Sequence, residues 1–138
     1  MRQQTKTDKG RRKQTKADSW HFRDLLVWQK SMALAGDVHR VTSAFPKTEM
    51  FGLTSQLRRA AVSIVSNIAE GCGRTTPGEM RIFFGHSRGS VYELETQLCI
   101  AESLAYLDRS RLQRLLEQCW EIVRMLNALI HRMKGDEA

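Results

Sequence analysis

Cysteine is scarce and unpaired in this chain: Cys72, Cys99 and Cys119 are an odd number, and none stands at Cys-x-x-Cys spacing. That argues against a disulfide frame and suits reduced thiols in a cytoplasmic protein. Long apolar runs are missing as well. The opening stretch MRQQTKTDKGRRKQTKAD has no apolar core of the kind a signal peptide needs. No segment approaches the ~18 consecutive apolar residues of a membrane span, so a soluble protein with no membrane partner is expected. The four histidines, His21, His39, His86 and His131, are scattered without metal-ligand spacing, and neither a metal nor a cofactor is expected. Strand-like alternation is absent throughout.

What is present begins with charge. The net charge is +7 over 138 residues, a length that fits one domain. Residues 1–17 hold seven Lys or Arg and one Asp, or +6, which leaves 22−7 = 15 basic against 15−1 = 14 acidic groups elsewhere, or +1. The basicity is therefore chiefly a tail. Almost without apolar residues, that tail cannot offset its ordering entropy, and the chain divides into a disordered basic segment (1–18) and a helical domain (19–135). Arg11, Arg12 and Lys13 form its densest cluster, suited to polyanions because each cation that meets a phosphate releases counterions. A solubilising leader would explain the same composition.

The domain reads as four helices. From about Leu25 to Phe45, Val27, Leu34, Val38, Val41 and Phe45 recur at helical spacing, with Trp28, Met32 and Ala35 widening the stripe. Pro46 ends this helix. A second runs from about Leu53 to Gly71, where Gly71 and Gly73 offer a positive-φ cap. The third opens on a capping box, with Thr76 as N-cap, Pro77 at the first position and Glu79 reaching back. It continues to about Ala105 through Phe83, Val91, Leu94, Leu98 and Ala101. Asp108 caps the fourth, whose stripe of Leu112, Leu115, Leu116, Cys119, Val123, Leu126, Ile130 and Met133 runs to Lys134 with Gly135 as its stop. Such short links predict an all-α, antiparallel up-down-up-down four-helix bundle.

The second helix is apolar on two sides: Leu53, Leu57, Ala60, Ala61, Ile64 and Ile68 share one sector, while Val62, Val65 and Ala69 lie roughly opposite. A second subunit would cover the extra face, which predicts a homo-oligomer. Between the faces run Gln56, Arg59, Ser63, Asn67 and Glu70, ending at Gly71 in the stretch IVSNIAEGCGRTTPGEM. Their spacing lets neighbours bond along the helix, so they read as a structural motif. Catalysis would ask for a nucleophile beside a base, and this stripe carries no His, Cys or Lys. Gly71-Cys72-Gly73-Arg74 follows a helix rather than a strand and lacks the Gly-Lys-Ser/Thr of a phosphate loop. No enzyme is expected. In the third helix Ser87 and Ser90 lie on the apolar stripe, where small residues allow close approach. Arg81, Arg88, Tyr92 and Glu95 share a side, and residues 56–92 hold five Arg against two Glu within the body beyond Asp18. Arg58, Arg59, Arg74, Arg81 and Arg88 are accordingly candidate contacts for RNA or DNA. Tyr92 is the one aromatic beside that basic side, so little base stacking is expected.

The strings FRDLLVWQKSMAL, FPKTEMFGLTSQLRRAAVSIVSNIAEGCGR and RGSVYELETQLCIAESLAYL resemble the four-helix-bundle family named for open reading frames in 23S ribosomal RNA intervening sequences. Its relatives include the accessory variability protein of diversity-generating retroelements. The resemblance covers about residues 22–133 and departs from the family where Val65 stands in place of a frequent Pro, and at the glycines of helices one and three. It implies an antiparallel four-helix protomer, a ring that is typically a homopentamer, and no enzymatic activity. The retroelement relatives act with a reverse transcriptase and nucleic acid, so a protein partner of that kind is a further expectation. Two readings follow: an oligomeric nucleic-acid-associated or scaffold protein, or a protein-interaction module acting with a neighbouring gene product.

Overall fold

The structure, a computed structural model, describes residues 21–137. The basic tail, with Arg11, Arg12 and Lys13, lies outside the described residues. Four helices follow one another: α1 (Leu26–Thr42), α2 (Leu53–Cys72), α3 (Pro77–Ser103) and α4 (Arg109–Glu137), with 3₁₀ turns at Phe22–Asp24 and Lys47–Glu49. There is no strand among the described residues. Each helix packs on the next, most extensively α2 on α3, and α1 closes the bundle against α4. No described helix is long and apolar enough to cross a membrane.

The links explain the order. Residue Leu25 precedes α1 in extended conformation, and the 3₁₀ turn before it lays Phe22 against Trp28 at 5.4 Å between ring centroids. After α1 the chain turns at Ser43 and buries Phe45 against Tyr106, so the apolar repeat outlasts the helix by three residues. Gly52, at the N-cap of α2, has no side chain to cap it. Glu49 substitutes: its Oε1 accepts from Leu53 N (3.1 Å) and its Oε2 from the Tyr106 hydroxyl (3.0 Å). That second bond raises the Tyr106 phenol above its ordinary pKa. For α3, Thr76 Oγ1 accepts from Glu79 N (3.1 Å) with Pro77 in the first turn. Asp108 Oδ1 takes the N–H of Arg111 (2.7 Å) at the start of α4.

Several sequence expectations need correction. The glycines after α2 are not a left-handed cap: Gly73 has φ −87°, and no described glycine has positive φ. Gly71 is instead a contact residue, because a Cβ there would lie 2.8 Å from Phe84 Cε1. Helix α3 stops at Ser103, and the left-handed residue beyond it is Ala105, φ 65°. Tyr106 N donates to Ala101 O (2.9 Å) and Ala105 N to Glu102 O (2.9 Å), the bonding of a Schellman stop made without glycine. Gly135 does not end α4, which continues to Glu137. In the core, Phe84 rather than Phe83 is fully buried, Ile122 and Leu129 join the α4 stripe, and Met32 is 48% exposed.

The doubly apolar reading of α2 also changes. Val65 is buried within the protomer, because α2 lies between α1 and α3 and both flanks are covered. Of the supposed second face, Val62 remains exposed, beside Met50 and Phe51 of the preceding loop.

Candidate nucleic-acid interface

The polar sector of α2 forms a network at the α2–α3 seam. Asn67 Nδ2 donates to Ser63 O (2.9 Å) and Ser63 Oγ (3.1 Å), and the Ser63 and Ser90 hydroxyls share a bond of 2.8 Å. One turn away, the fully buried Ser87 donates to Ile64 O (2.8 Å). Gln97 Nε2 reaches Gln56 Oε1 at 3.5 Å. Small hydroxyls at 63, 87 and 90 let the two backbones approach and bond to one another or to the backbone, while Gln97 Oε1 is buried without a hydrogen-bond partner among the described residues. At the C-terminal end of α2, Glu70 pairs with Arg74 (2.6 Å), and the same guanidinium lies 4.5 Å over the Phe83 ring. Cys72, beside this corner, has its thiol pushed up to about 11 by burial, and burial foremost lifts Cys119 to about 12. Neither is poised as a thiolate nucleophile.

The candidate arginines do not converge on one face. Arg58 turns to α1, donating to Thr42 Oγ1 (2.8 Å) and to His39 O (3.3 Å). Arg88 turns to α4, donating to Asn127 Oδ1 (2.7 Å), and Glu95 on the same side accepts from Trp120 Nε1 (3.1 Å). The basic side of α3 is thus partly spent on the α3–α4 seam. Arg81 is half-buried. Arg59 alone of the α2 pair is exposed without an ion pair or hydrogen bond among the described residues. It lies between two crevices, one of about 230 Å³ with Gln56, Ser63 and Glu93, the other of about 540 Å³ with Met50, Phe51, Arg58 and Val62.

A different basic grouping was not visible in the sequence. Arg40 of α1 and Arg111 and Arg114 of α4 line a crevice of about 280 Å³ whose one carboxylate is Asp37. Asp37 is held by Arg40 (2.5 Å) and Gln118 Nε2 (3.2 Å), and Arg111 pairs with Asp108 (2.8 Å). Arg114 has no ion pair among the described residues. Seventy residues separate Arg40 from Arg111 in the chain, and only the RSRLQR run at residues 109–114 could have hinted at the cluster. Phe51, 97% exposed, is a second omission: it is an aromatic beside Arg58 and Arg59 where Tyr92 had seemed to stand alone. Among the described residues no group of three His, Cys, Asp or Glu could hold a metal ion.

Residues 23–128 match the family model of the 23S rRNA-intervening sequence protein. The fold is similar to the crystal structure of a protein of unknown function from the S23 ribosomal protein family of Bacteroides thetaiotaomicron. The TM-score is 0.69 at 19% identity, covering 76% of this chain and 98% of that one. No curated protein matches.

Proposed function

Because the chain belongs to the family of 23S rRNA-intervening sequence proteins, we propose that it is a non-enzymatic, homo-oligomeric bundle that associates with nucleic acid in the cytoplasm. The observation that carries this reading is the separation of charge: +6 within residues 1–17 against +1 in the remainder. The tail supplies the phosphate contacts. Arg40, Arg111 and Arg114, gathered on one crevice, offer a secondary contact on the folded body, where the planar guanidinium suits phosphate oxygens. The assembly is a ring of copies, a pentamer as the resemblance implies, which multiplies weak contacts through avidity. A reverse transcriptase is the kind of protein partner the same resemblance suggests.

Fluorescence anisotropy with short RNA and DNA tests the reading. Binding with little sequence preference and strong salt dependence is expected, since phosphate contacts carry no sequence information. No binding to either at ~50 mM salt and micromolar protein, where phosphate-driven association is strongest, would leave the protein-interaction module as the better account.

A further inference from the structure

Large apolar side chains on the surface of this bundle are mostly half-covered, with one exception. Phe51 is 97% exposed, and the next, Val62, is 59%. Phe51 stands in the loop between α1 and α2, flanked by Met50 (45% exposed) and by Arg59, which has no ion pair among the described residues. A bare ring in that position is a knob without a hole, and exposed aromatics with Met and Arg beside them are what interface anchors are made of.

A hole exists on the same chain. At the other end of the bundle, the start of α1 and the later part of α4 leave an apolar groove of about 240 Å³, lined by Leu25, Leu26, Met125, Ala128 and Leu129, with Arg132 also at its wall. Leu26 and Ala128 are exposed there. The volume falls below the ~300–1,000 Å³ of pockets that take drug-sized ligands and suits a single side chain. Asp24, which directly precedes the groove residue Leu25 and has no ion pair among the described residues, offers an acidic partner for Arg59 beside Phe51. Helix α1 has 17 residues, so at 1.5 Å per residue knob and groove stand ~25 Å apart along the bundle. No protomer can therefore fill its own groove.

We propose that Phe51 of one protomer inserts into the Leu26–Ala128 groove of a second copy. The inference rests on the oligomeric part of the function proposed above and supplies its contact. Because two different surfaces meet, the contact is heterologous, and it closes into a ring or runs on as a filament according to the rotation between copies. Arg59 then approaches Asp24 across the junction.

Two variants and their mixture test this by multi-angle light scattering. Phe51→Asp spoils the knob and Ala128→Glu the groove. Both positions are exposed, and unchanged helical circular dichroism and melting temperature would show that the fold is intact. Each variant alone should fall to about the 15.9 kDa protomer mass. Mixed, they retain one good knob and one good groove and should give a species of twice that mass, while the remaining junction sets Asp against Glu. A wild-type protein that is already monomeric, variants that keep the wild-type mass, or a mixture that stays monomeric would each overturn the proposal. Nucleic-acid binding is read separately by anisotropy. If Phe51→Asp abolishes it while the mass is unchanged, the exposed ring serves a nucleic acid rather than a second copy.

Discussion

Two helical glycines have opposite meanings at the level of the residue. Gly71 is buried, and a methyl there would press on Phe84 and come within 3.3 Å of Phe83 Cβ. Gly89, mid-helix in α3, has nothing within 4 Å of a notional Cβ. Gly71→Ala should lower stability, because overpacking costs about 1–3 kcal/mol and outweighs the ~1 kcal/mol that Ala gains in helix propensity. Gly89→Ala should raise it by up to about 1 kcal/mol. Urea midpoints of the two variants against wild type check both signs. Asn67 is a milder case than its place in the motif suggests. Its amide donates to Ser63, but the Ser63 hydroxyl keeps its bond to Ser90 when Asn67 is removed. Asn67→Ala should therefore cost only about 0.5–1.5 kcal/mol, the net worth of an ordinary hydrogen bond. A loss well above that in thermal or urea unfolding would mean the amide has a structural role that its bonds to Ser63 do not explain.

For the helices, the ends carry more information than the middles. The stop of α3 uses Ala105 in the left-handed region, a conformation that costs an L-residue roughly 1–2 kcal/mol. Ala105→Gly relieves that cost and loses part of it to the more flexible unfolded chain, so a gain of about 0.5–1 kcal/mol is expected; calorimetric melting would show it as a higher Tm. This stop also marks where sequence reading ran out. Four helices, the Thr76 and Asp108 caps and most of the core stripe were legible, since each is written in local spacing. The left-handed turn was assigned to the wrong residues, because glycine is the usual choice and nothing local marks Ala105 as the exception. Phe83 and Phe84 could not be ranked by periodicity alone; contact with Gly71 across the seam decides between them. The Arg40–Arg111–Arg114 crevice was illegible for a different reason, since it joins helices that meet only in the folded bundle. Conversely, the close α2–α3 approach at Ser87 and Ser90 was readable from residue size, and Ser87 indeed sits against the backbone of Ile64.

Taken whole, the molecule is a nearly neutral bundle joined to a strongly basic segment, and the polyanion affinity proposed above belongs mainly to that segment. The division makes a quantitative difference. Removing residues 1–17 takes away seven cations, whereas replacing Arg114 takes away one. Each phosphate neutralised contributes about 0.7–0.9 to the slope of log affinity against log salt. The deciding measurement is that slope, taken by anisotropy with one short RNA over several salt concentrations for the intact chain and for the chain lacking residues 1–17. A steep slope is expected for the intact protein and one flatter by several units after deletion, each phosphate being worth about 0.7–0.9. Equal slopes for the two proteins would contradict a tail that supplies the phosphate contacts.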